Sequence, residues 1–220
     1  QDYEKTSHVV QFSRNISEGY RYNTDYDNQN YFIKSTLKSS EMPIDILATF
    51  SERKFGANGF YATPSAINQY EETQASLVGV QSVFTKGNVT FKPRMYWRRN
   101  QDEYVFVRDN PEIYRNLHIT NKVGMELNTA IQSKWGTTGV GVDLAKVYLS
   151  SNNLGDRDRF MGTFFLEHRF LLLDSKLDIT PGFAANYYTD FDGNFFPGID
   201  IGYQVSKHFR TYANIGKTYR

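Results

Sequence analysis

The chain has 220 residues, a formal net charge of +1 and no cysteine, so no global field points to nucleic acid and no disulfide framework is available. Aromatic residues make up 16% of it, as 16 Tyr, 17 Phe and 2 Trp, a share that suits a sheet whose ends lie in a membrane interface. Mean hydropathy is −0.57 and no apolar run approaches about eighteen residues, which excludes a helical membrane span but not a barrel, whose strands are apolar on one face only.

Taken in chain order, period-2 alternation predicts strands over Tyr3–Ser13, Asn30–Lys38, Ile44–Lys54 and Thr73–Phe84. Val89–Trp97 is sharper: Val89, Phe91, Pro93, Met95 and Trp97 share one face, and Thr90, Lys92, Arg94 and Tyr96 the other. Ile119–Ile131 sets Ile119, Val123, Met125, Leu127 and Ile131 against Thr120, Lys122, Glu126 and Asn128, with Asn121 and Thr129 as imperfections. Thr138–Leu149 and Arg159–Leu171 follow, then Leu177–Tyr187 and Phe195–Val205, where Ile199, Ile201 and Tyr203 oppose Asp200, Gly202 and Gln204. Phe209–Tyr219 closes a count of about eleven segments. Segments of eleven or more residues exceed ordinary soluble strands, which average about five or six.

The connections alternate. Short polar turns fall at Ser39–Pro43, Thr85–Asn88, Ser133–Gly136, Leu173–Lys176 and Ser206–His208; longer polar and aromatic stretches fall at Arg14–Asn28, Gly56–Glu71, Gln101–Leu117, Ser150–Arg157 and Thr189–Asn194. Short connections on one edge and long ones on the other are the pattern of an outer-membrane β-barrel. The fold expected is all-β, an antiparallel transmembrane barrel, with residues 1–220 forming part of one barrel domain. The rivals are a soluble β-sandwich binding module and a passive porin-like channel. Pro93 and Pro181 lie on apolar faces inside strands and should each interrupt a ladder. The other face carries Arg94, Arg98, Lys122, Glu126, Asp143, Glu167 and Arg169, which need water or partners and so imply a wide hydrated or plugged lumen. Since closed bacterial barrels have even strand numbers, a count near eleven with no leader before Gln1 and no turn after Lys217–Arg220 is expected of an internal piece of a larger barrel.

Lys54-Phe55-Gly56-Ala57-Asn58-Gly59-Phe60-Tyr61, with Gln69-Tyr70-Glu71-Glu72-Thr73 after it, resembles an extracellular loop and the next strand of TonB-dependent outer-membrane receptors of Bacteroidota. Tyr96-Trp97-Arg98-Arg99-Asn100 and Asp109-Asn110-Pro111 resemble the following hairpin in the vitamin B12 type. Phe196–Tyr203 and Asn214–Arg220 look like later strands of such barrels. The resemblance implies a barrel of about 22 strands closed by a plug domain, which imports cobalamin or an iron chelate, cobalamin being favoured by the loops. It also implies as partners the outer-membrane lipid, the plug and the remaining strands, TonB through a missing N-terminal part, a surface lipoprotein, and a small-molecule ligand. No enzymatic role, cofactor or nucleic acid is implied.

Motifs for catalysis are not found. His8, His118, His168 and His208 are scattered, and no Gly-x-Ser-x-Gly occurs. Asp25 and Asp27 sit at alternate positions, like the opening of a calcium loop, but the turn glycine and terminal Glu are missing. Ligand binding is instead expected of the long loops, whose aromatic and hydrogen-bonding residues suit a mid-sized polar ligand. The residues singled out are Phe55, Asn58, Phe60, Tyr61, Tyr70, Arg98, Tyr104, Arg108 and Tyr114.

Overall fold

The computed structural model describes residues 1–218. All of its regular structure is antiparallel sheet: β1 (Thr6–Ser17), β2 (Tyr26–Leu37), β3 (Ile44–Gly56), β4 (Tyr70–Ser82), β5 (Phe84–Lys86), β6 (Val89–Val105), β7 (Arg115–Ser133), β8 (Gly136–Ser151), β9 (Arg157–Leu172), β10 (Leu177–Tyr188), β11 (Asn194–Ser206) and β12 (Phe209–Gly216). They form one meander in which each strand pairs with the next, β5 alone lying off the path against β6. The sheet is not closed, β1 and β12 being its two edges among the described residues. No second sheet packs on either face among the described residues, which removes the β-sandwich. The expected end of the last strand at Tyr219, and the last two residues of the Asn214–Arg220 motif, lie outside the described residues.

The twelve segments reconcile with the expected eleven through Pro93. Gln81 pairs with Arg94 and Phe84 with Phe91 in one unbroken register, so Ser82 falls opposite Pro93. Proline offers no N–H there, the ladder lapses, and one strand is divided into β4 and β5. The Ser82 hydroxyl donates to the Pro43 carbonyl instead. Pro181 acts likewise: β10 pairs with β9 at Ile179–Phe170 and again at Gly182–Glu167, with Thr180 and Pro181 unpaired between, while Pro181 keeps its place opposite Ile199 on β11.

Because paired residues share a face, the register assigns every side chain. Pro93, Leu127, Val142, Phe164, Ala185 and Phe195 make one row across six strands. Nothing in the described chain covers that face: Val10 is 74% exposed, Met95 55% and Leu127 46%. The opposite face carries the row Asp45, Gln81, Arg94, Glu126, Asp143, Thr163 and Asn186. Concavities of about 560 and 420 Å³ open on this polar face, lined chiefly by its side chains. An apolar convex side and a wet concave side are the two surfaces of a barrel wall.

The strands run farther than alternation suggested. Val89–Trp97 is the lower part of a 17-residue β6, and Ile119–Ile131 the middle of a 19-residue β7. The expected loops Arg14–Asn28 and Gln101–Leu117 shrink to residues 18–25 and 106–114. In the added lengths the convex face is charged and self-paired, through Arg14–Asp27 at 2.6 Å and Arg115–Glu103 at 2.6 Å, and at the same level of β3 Lys54 pairs with Glu52 at 3.3 Å. A strand polar on both faces reads as loop, and these portions stand clear of the apolar band.

Candidate functional site

Three long connections, residues 18–25, 57–69 and 106–114, meet above one end of β1–β7 and are tied by side chains rather than by sheet. Asn23 adopts a left-handed conformation, φ 52°, which Asn tolerates better than most residues. Its Nδ2 donates to the Ile67 carbonyl at 2.9 Å and the Gln69 carbonyl at 2.6 Å. Asn58 Nδ2 donates to the Tyr22 carbonyl at 2.6 Å, and the Tyr22 hydroxyl to Asn68 Oδ1 at 2.7 Å. Gln69 is fully buried, its Oε1 accepting from the Tyr61 amide at 3.2 Å.

Arg108 fastens the third loop. It donates bidentately to Asp25, Nη1 to Oδ1 at 2.7 Å and Nη2 to Oδ2 at 2.9 Å, and its amide donates to the Asn68 carbonyl at 2.9 Å. Its guanidinium lies 4.5 Å from the centroid of the Tyr70 ring. The hydrogen bonds and charge of Arg108 hold the Asp25 carboxyl below its usual range. Asp27 is engaged separately, by Arg14 Nε at 2.9 Å and Nη2 at 2.6 Å. Each carboxylate of the calcium-like pair is therefore already neutralised by its own guanidinium.

Beside this frame an aromatic series runs from Phe60 to Tyr61, Tyr104 and Tyr114, with ring centroids 4.7, 5.4 and 6.4 Å apart in turn, all edge-on. Register puts Phe55, Glu71 and Tyr104 in one row on the concave face. Burial and the neighbouring Glu71 carboxylate push the Tyr61 phenol above its ordinary pKa. Phe60 is 74% exposed. The arrangement offers amphipathic rings and hydroxyls at the mouth of the concave wall, a surface for stacking and hydrogen bonding without a nucleophile–base pair. Among the described residues no group of three or more His, Cys, Asp or Glu side chains is placed to hold a metal ion.

The nine residues singled out from sequence thus divide. Phe60, Tyr61, Tyr104 and Tyr114 come together, with Phe55 in the row below. Asn58, Tyr70 and Arg108 are the framework behind them. Arg98 stands apart, six residues down β6 from Tyr104, about 20 Å along the strand. Sequence reasoning missed Asn23, Gln69 and Glu71. A buried glutamine in a loop has no pattern to betray it, whereas Asn23 in the run Tyr22-Asn23-Thr24-Asp25 carries a recognisable turn signal.

No family model matches the chain, and no curated protein matches it. Solved structures do. The siderophore receptor PirA from Pseudomonas aeruginosa superposes with a TM-score of 0.77 at 15% identity, over 97% of this chain and 37% of that one. The FrpB iron transporter from Neisseria meningitidis gives 0.80 at 11% identity, over 97% and 42%. A variant of the ferric enterobactin receptor PfeA from Pseudomonas aeruginosa gives 0.74 at 11% identity, over 97% and 39%. The chain therefore spans about two fifths of the length of the structures it matches. Identities this low establish a shared fold alone, part of the wall of a β-barrel.

Proposed function

We propose that the chain is part of the barrel of a TonB-dependent outer-membrane receptor, and that the whole protein imports a scarce nutrient as a small-molecule complex. The observation that carries this reading is the two-faced sheet: an uncovered apolar convex band, a wet concave wall, and tied aromatic loops at one end only. The fold likeness to siderophore and iron receptors supports it, and so do the Lys54–Thr73 and Tyr96–Asn100 motifs. That likeness moves a ferric chelate ahead of cobalamin, which the loop motifs alone favoured. Origin in Bacteroidota rests on those motifs as well. The further strands that would close the sheet, a plug within it, TonB and a surface lipoprotein belong to the same reading. The role is transport, with binding at Phe60, Tyr61, Tyr104 and Tyr114 and no chemical step.

Uptake of labelled ferric chelates and of cobalamin by cells carrying the whole protein tests this. An importer loses uptake when TonB is deleted or the proton gradient is collapsed. Uptake unchanged by both treatments would replace it with a passive channel.

A further inference from the structure

Arg98 on β6 stands directly opposite Lys122 on β7. Both project from the concave face, two like charges at the closest cross-strand spacing, an arrangement that destabilises a sheet unless something answers it. The row holds no answer: Leu77 flanks Arg98 and Val147 flanks Lys122. The rows on either side hold none, with Asn100 and Thr120 above and Tyr96 and Gly124 below. Neither cation forms an ion pair among the described residues. Farther down the wall Glu126 is engaged by Arg94 at 3.4 Å and Asp45 by Lys34 at 3.6 Å, and unpaired carboxylates of this face, Asp102 on β6 and Asp143 on β8, stand two rows above and two rows below the two cations.

The surroundings are shaped for an occupant. Tyr96 lies over Gly124, its ring filling the space that a β-carbon would need. Lys122 Nζ sits 5.5 Å from the centroid of that ring. Arg98 lines the rim of the 560 Å³ concavity whose apolar lining includes Phe32, Leu47 and Leu77. From the aromatic mouth the concave face of β6 steps through Tyr104, Asp102 and Asn100 to Arg98, so a molecule passing the mouth meets the two cations next.

We infer that Arg98 and Lys122 form an anion subsite in the wall, which takes a carboxylate group of the carried molecule. The inference rests on the uptake reading above. A guanidinium offers a planar two-donor fork that matches a carboxylate, and the adjacent ammonium adds a point charge to the same oxygens. A carboxylate seated between them removes their mutual repulsion. The pair selects for polycarboxylate chelates over ligands without such a group.

The test uses the whole protein in detergent, with ferric citrate as the anionic probe and cyanocobalamin as a probe lacking carboxylates. Isothermal titration compares wild type, R98Q/K122Q, and the charge-keeping R98K/K122R; heat-modified gel mobility verifies that each barrel is folded. The expected result is a loss of about tenfold or more in ferric citrate affinity for R98Q/K122Q. Its salt dependence should flatten, R98K/K122R should recover most of the affinity, and any cyanocobalamin binding should stay unchanged. Equal ferric citrate affinity in wild type and R98Q/K122Q overturns the subsite and assigns the pair to a carboxylate of the protein itself. Wild type that binds cyanocobalamin but not ferric citrate also overturns it, yet leaves uptake standing. Binding of neither probe by wild type counts against both.

Discussion

Trp97 on β6 donates its indole N–H to Asn121 Oδ1 on β7 at 3.2 Å, and this bond marks the level at which the convex face changes character. Below it the face reads Met95 and Pro93 on β6 and Val123, Met125 and Leu127 on β7; above it β6 turns polar at Arg99, Gln101 and Glu103, the last two facing Ile119 and Leu117 of β7. An indole with its ring on the apolar side and its N–H bonded to an amide is the behaviour of Trp at a bilayer interface. Asn121, an imperfection in the alternation, is the boundary marker.

That boundary predicts reagent access. Single cysteines at Gln101 and Glu103, in the otherwise cysteine-free chain, should react with a membrane-impermeant maleimide on whole cells. Cysteines at Met95 and Met125 should not. Equal labelling at all four positions would place the boundary elsewhere.

Charge on the apolar band should be costly. Leu127→Arg and Ile199→Arg are expected to lower barrel stability by about 2–4 kcal/mol near the bilayer midplane, measured by reversible denaturant titration in lipid vesicles. The neighbours Asn128 and Asp200 project from the other face and should accept polar exchange with little change. Matching losses on both faces would describe a dry two-sided core.

The loop frame should be acid-sensitive. Asp25 is held below its ordinary pKa by Arg108, so its contribution is fully present above the unfolded carboxylate value of about 3.9 and is lost as pH falls through the lowered folded value. Limited proteolysis of residues 18–25 and 106–114 should therefore stay slow from neutral pH down to that region and accelerate below it. In Asp25→Asn the same loops should be cut faster at neutral pH, and the acid-dependent step should disappear. A variant cut at the wild-type rate would show that Arg108 does not fasten the loops.

Much of this wall was legible in the chain, for a physical reason that also sets the limit. Within the apolar band, lipid on one side and water on the other impose strict alternation, so Val89–Trp97, Leu177–Tyr187 and Phe195–Val205 were readable, as was the interrupting effect of Pro93 and Pro181. Where β6 rises above the band it is polar on both faces from Arg98 to Glu103, the alternation vanishes there, and Gln101–Leu117 has the look of a loop. The site was legible only in composition. Composition marks Phe60, Tyr61, Tyr104 and Tyr114 as aromatic loop residues, but their edge-on series depends on contacts between residues up to forty-three positions apart (61 to 104). That Arg108 and Asn58 also tie the loops together is not legible in the chain, because their partners Asp25 and Tyr22 come from another loop.

The measurement closest to the central claim is a spin-label scan along β7 of the whole protein in lipid bilayers, one label at a time from Lys122 to Ile131. Labels at Val123, Met125, Leu127, Thr129 and Ile131 should be relaxed strongly by oxygen, which concentrates in lipid. Labels at Lys122, Gly124, Glu126, Asn128 and Ala130 should be relaxed instead by a water-soluble nickel complex. A strict two-residue alternation between the two relaxants is the expected result. Oxygen and nickel accessibilities that follow each other along the strand, with no alternation, would contradict the membrane-spanning wall.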